Sequence, residues 1–137
     1  MTRSFSVLAV AGASLLLAAT ASPQSGTTLT IKHQLRGCHS WSVNGGAYKP
    51  SQSLTLKKGA TLTIVDDDVM PHKLVRLSGP ALTMPSSANM NHAAATTHVK
   101  FTKAGIYTFK TKAGEDYMKG VKTIGEDNVL KLKVTVS

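Results

Sequence analysis

Val129-Leu130-Lys131-Leu132-Lys133-Val134-Thr135-Val136 decides the fold class. Leu130, Leu132, Val134 and Val136 fall on one side of an extended chain, with Lys131, Lys133 and Thr135 on the other. A period of two produces that separation, so the segment is a strand with one face in a core and one in water. The same alternation, in stretches rich in Val, Ile, Thr, Tyr and Phe, runs back through the chain. Thr27 to Arg36 carries Leu29, Ile31, His33 and Leu35 on one face, and Gly37-Cys38-His39 then breaks or bends it. Ser40 to Val43, Ser53 to Leu56, Ala60 to Val65 and His72 to Leu77 read as further strands, separated by turn signals such as Asn44-Gly45-Gly46 and Lys57-Lys58-Gly59. Ser78 to Ala95, with its two prolines, small residues and methionines, reads as a long excursion. Thr97 to Phe101 and Ile106 to Lys112 read as a hairpin across Lys103-Ala104-Gly105. Helical periodicity is absent outside the N-terminus. Seven to eight short strands predict an all-β Greek-key β-sandwich.

Residues 1–21 follow other rules. Arg3 supplies a positive start, Phe5 to Ala18 is almost wholly apolar or small, and Ala19-Thr20-Ala21 fits the small-x-small cleavage pattern. A signal peptide over 1–21 and a single domain over 22–137 are expected, giving an exported protein, periplasmic or secreted. Nothing later approaches the ~20 apolar residues of a spanning helix, so no membrane span is expected in the mature chain. Lys and Arg number 16 against 7 acidic residues, a net charge of +9. These cations are spread along strands and turns without interleaved aromatics, which reads as a solvated face and speaks against a nucleic-acid partner. A monomer is expected. The single cysteine, Cys38, allows no internal disulfide; it is a buried inert thiol, an intermolecular partner or a metal ligand.

Pro71-His72 follows the strand-like Ala60 to Val65 and the acidic turn Asp66-Asp67-Asp68. Imidazole is the commonest metal donor, and a preceding proline restrains the loop that presents it. The competing reading is a hydrogen-bonded edge histidine. The run of strand, acidic turn and Pro71-His72-Lys73-Leu74, together with Ala104-Gly105-Ile106-Tyr107-Thr108-Phe109, a loop with Met118 and a last strand, resembles the cupredoxins, small copper-binding β-sandwich proteins. The resemblance spans about Trp41 to Val136. It implies a copper cofactor, Cu(I) or Cu(II), with His72 and Met118 as ligands. In blue-copper members the copper thiolate stands two residues after the Phe, and Thr111 occupies that place; Ala113 to Tyr117 supplies no following histidine. A blue site needs a thiolate beside two imidazoles, so any copper here is held by a different set.

Strand directions indicate that set. If consecutive strands run up and down, the Gly37-Cys38-His39 corner, the His72 loop, the residues before Thr97 and the Met118 loop share one end. The expected ligands are therefore His72, His92, His39, Cys38, Met118 and Met90. Cys38 and His39 are adjacent and face opposite ways in a regular strand, so one binds unless Gly37 forms a bulge. Met90 and His92 repeat the spacing of Met70 and His72. His33, several residues below the upper end of a strand that runs to Arg36, reads as a core or edge histidine. His98 reads as solvent-facing, Trp41 as core, and Glu115 and Asp116 as loop carboxylates. No Gly-rich phosphate loop, Gly-x-Ser-x-Gly or His-Glu-x-x-His is present. The expectation is a copper-binding protein, not an enzyme, acting in copper handling or electron transfer with a redox or copper-delivery partner. The alternatives are a metal-free module for structure or partner recognition, and redox sensing through Cys38.

Overall fold

A computed structural model describes residues 26–33, 39–113 and 129–137. Within them the chain forms β1 (Thr27–His33), β2 (His39–Val43), β3 (Ser51–Leu56), β4 (Thr61–Asp66), β5 (His72–Ser78), a 3-10 turn (Ser86–Ala88), β6 (Asn89–Met90), β7 (Ala95–Lys100), β8 (Gly105–Ala113) and β9 (Val129–Val136). The protein is all-β, as the alternation predicts. β9 keeps its expected boundaries, with Leu130, Leu132, Val134 and Val136 buried and Lys131 and Lys133 exposed. The excursion after β5 is more ordered than expected, because the 3-10 turn and β6 lay it along β5. The signal peptide expected over residues 1–21 lies outside the described residues.

Two sheets face each other, one ordered β2-β1-β4-β7 and the other β3-β9-β8-β5-β6. Between them lie Leu29, Ile31 and Trp41 of the first sheet, Leu74, Phe109, Leu132 and Val134 of the second, and their buried neighbours. Each such aliphatic or aromatic side chain contributes ~1.5–3 kcal/mol by leaving water. This packing, not intrinsic strand preference, holds the layers together.

The expected β7–β8 hairpin does not form. β7 pairs with β4, and Phe101 N–H extends that ladder to Ala60 O at 2.9 Å, whereas β8 pairs with β5 and β9. The link between them crosses from one layer to the other. Phe101 and Tyr107, both fully buried, meet edge to face at 5.0 Å across that step. The Tyr107 hydroxyl donates to Lys103 O at 2.7 Å, which closes the crossing. Gly105 (φ 142°) lies against Pro80, whose Cγ would be 2.7 Å from an added Cβ, so the corner admits no side chain there. Period-two alternation reports which face of a strand is buried and says nothing of which sheet it joins.

Strand direction places the site. β1 runs parallel to β4 with Ile31 beside Asp66, and β7, antiparallel to β4, begins with Ala95 beside Asp66. In the other sheet His72 opens β5 opposite Ala113 at the end of β8, with Met90 on its other side. These termini define one end of the sandwich, called the upper end below.

Candidate metal centre

The polypeptide leaves β4 at Asp66 and turns over three successive aspartates. The Asp68 N–H donates to Asp66 Oδ1 at 3.2 Å, and the Met70 N–H donates to Asp68 Oδ1 at 3.1 Å. Aspartate is suited to such turns because its carboxylate accepts from the backbone two residues on. Asp67 points out to Lys32 at 3.1 Å, half exposed. Asp68 points in. Its Oδ2 lies 2.5 Å from His39 Nδ1 and 3.3 Å from His72 Nε2, and both side-chain pairs are almost fully buried.

Each partner arrives from a different element. His72 opens β5, fully buried, with Nδ1 3.3 Å from the hydroxyl of Thr111 on β8. His39 opens β2 and is the register partner of His33, the last residue of β1. The rings form a row: His33 to His39 at 5.5 Å and His39 to His72 at 5.0 Å, both edge to face. One ligand atom from each of His33, His39 and Asp68 falls within 4.8 Å of the others. His33 is the exposed end of the row and His72 its buried end.

The electrostatics make Asp68 an anion. Burial alone would push its carboxyl up, but hydrogen bonds to His39 and His72 and the Met70 N–H override it, holding the group far below the usual carboxylate range. His72 is pushed down by burial, partly opposed by Asp68, so its neutral form is favoured. Asp66, fully buried, is pushed up to about 7 by desolvation, against the Asp68 and His72 N–H groups that favour its anion. Among the described residues no Lys or Arg pairs with Asp68. A buried carboxylate is compensated by hydrogen bonds or by a cation, and an ion seated between Asp68 and the two imidazoles would supply the second.

Of the six expected ligands, His39 and His72 converge on Asp68. Met90 is the register partner of His72, so its buried side chain lies on the same sheet face and joins the core. His92 lies toward the same end, but it is exposed, with Nδ1 2.9 Å from Ala93 O, in a turn closed by Ala95 N–H to His92 O at 3.0 Å. It is outside the group formed by His33, His39 and Asp68. Cys38 and Met118, like Glu115 and Asp116, lie outside the described residues. His98 is exposed beside Thr63 at 3.1 Å, and Trp41 is core.

Two residues at the centre are missed by reading the sequence alone. Asp68 reads as one of three turn aspartates, and its signal is its place four residues before His72. A first strand drawn on to Arg36 puts His33 below the upper end; in the structure His33 closes the described part of that strand, opposite His39.

Comparison with known proteins finds no matching protein-family model and no matching curated protein. Among solved structures the chain is similar to cupredoxins. A purple cupredoxin from Nitrosopumilus maritimus shares 21% identity at a TM-score of 0.46, over 80% of this chain and 98% of that one. A mutant of amicyanin in the reduced state shares 18% at 0.46, over 85% and 87%. Amicyanin from Paracoccus versutus shares 16% at 0.40, over 85% and 86%.

Proposed function

We propose that this protein binds one copper ion at its upper end, through His39, His72 and Asp68 with His33 at the mouth, and serves in copper handling outside the cytoplasm. The observation that carries the reading is Asp68: an anionic carboxylate, buried, directed at two imidazoles and lacking a Lys or Arg partner among the described residues. The donors suit the ion. Imidazole nitrogen with carboxylate oxygen fits Cu(II), and Met90 beside His72 offers a soft neighbour. Bound copper would supply a redox-capable Lewis acid. The chain's own contribution is to hold and shield it: Thr111 steadies the His72 ring, Met70 N–H orients Asp68, and the sandwich excludes water. Thr111 in place of a thiolate favours carriage of Cu(II) over rapid electron exchange. The test is metal analysis with optical and spin-resonance spectra of copper-loaded protein. One Cu(II) per chain with a pale ligand-field spectrum is expected, and lack of stoichiometric binding would overturn the proposal.

A second reading is a metal-free cupredoxin-like module. It is favoured by the His39–Asp68–His72 bonds themselves, which tie β2, the β4–β5 loop and β5 together without any ion. Copper content unchanged in His72→Ala protein would select it.

A further inference from the structure

The donors at the upper end are graded in depth. His72 is fully buried, His39 and Asp68 are 1–2% exposed, and His33 is exposed. An ion in solvent, or one held by a carrier, has no direct line to the buried three. Among the described residues His33 alone of the group reaches water, yet one of its nitrogens lies within 4.8 Å of donor atoms on both His39 and Asp68. Its ring stands edge-on to His39, which stands edge-on to His72. Each imidazole is therefore one ligand exchange from the next, and Asp68 borders both buried rings.

Resting on the copper-binding reading above, we propose that His33 is the gate ligand of this centre. It takes Cu(II) from a carrier that offers it with an exchangeable ligand, passes it to His39 and Asp68, and reverses the sequence on release. No electron moves. A bond from copper to His33 forms as a carrier bond breaks, and the His33 bond breaks in turn as His39 and Asp68 close on the ion. The His39 Nδ1–Asp68 contact at 2.5 Å must open for this, which makes inward transfer slower than capture. His33 suits the task because it is exposed while its register partner His39 is buried.

A group that only opens a path changes loading and release alike, because it lowers one barrier crossed in both directions. A resident ligand instead changes affinity, chiefly through release. His33→Ala protein is loaded from a Cu(II)–glycine complex and unloaded with EDTA, each followed by stopped-flow absorbance, and its Kd is measured by competition. Both rates are expected to fall about tenfold, a barrier increase of about 1.4 kcal/mol, with Kd unchanged. His98→Ala, at an exposed histidine on another part of the first sheet, is expected to leave both rates unaltered. Unchanged rates in His33→Ala would overturn the gate, and so would a loss of affinity carried by release alone, which would make His33 a resident ligand. Absence of binding by the unmutated protein would instead remove the copper reading on which the gate rests.

Discussion

Two buried regions of this sandwich solve opposite problems. In the lower part Phe101, Tyr107 and Phe109 pack with ring centroids 5.0–6.5 Å apart, and the one polar handle, the Tyr107 hydroxyl, is tied to Lys103 O. At the upper end His39, Asp68 and His72 are equally buried but ionisable. The first region stabilises simply by leaving water. The second spends stability, because a carboxylate taken from water must be compensated by hydrogen bonds or a cation. The contrast teaches where to look for function: the fold can be held by the lower cluster, which leaves the upper end to be built for binding.

The largest expected effect breaks the lower region alone. Phe109→Ala should cost about 3–5 kcal/mol in urea unfolding, as truncation of a buried Phe does, while copper stoichiometry under folding conditions stays at that of the parent. Loss of copper at unchanged folding would show that the regions are not separable. Next comes Asp68→Asn, which keeps shape but removes the charge. Copper affinity should drop more than the 10–100-fold typical of residues outside the coordination shell, with ~1–3 kcal/mol lost from the apoprotein, as read by competition titration and urea midpoints.

A third test uses pH on the apoprotein. Asp68 is depressed on folding, so its contribution is present above the ordinary carboxylate range and is lost as pH falls below about 4. His72 is also depressed, so acidification below its ordinary range favours the unfolded chain, which takes up the proton more readily. Asp66, raised to about 7, acts in the other direction: between about 4 and 7 the folded state holds the extra proton, so acidification there stabilises it. The urea midpoint should therefore change little from pH 7 to 5 and fall steeply below pH 4. In His72→Gln protein, with one opposing contribution gone, it should rise from pH 7 to 5. The smallest effect is expected outside both regions. Lys32→Ala breaks the half-exposed Lys32–Asp67 pair and should alter neither midpoint nor copper content.

Much of the frame is legible in the residues. The β9 alternation and the turns at Asn44-Gly45 and Lys57-Lys58-Gly59 mark the strands, but a simple up-and-down count does not give their directions, because β2 and β3 both start from the upper end, β3 running parallel to β9. The assignment of β7 and β8 to different sheets is not legible, because a strand with one buried face satisfies the pattern in either sheet. His92 shows the same limit at the site: it lies toward the expected end, but the turn over Ala93 and Ala94 (φ 65°) engages its ring nitrogen with Ala93 O. Asp68 is hidden by having two uses, since an aspartate turn and a buried counter-charge have the same local sequence.

By itself the sequence determined the class of fold and which face of strands such as β9 is apolar. Those follow from local periodicity and residue chemistry. Only the tertiary structure decided that β1 and β2 put His33 opposite His39, that β5 brings His72 to the same carboxylate oxygen as His39, and that Asp68 rather than Asp67 turns inward. Those depend on how two sheets close over one another, because burial and a shared partner are properties of packed layers and not of any one strand.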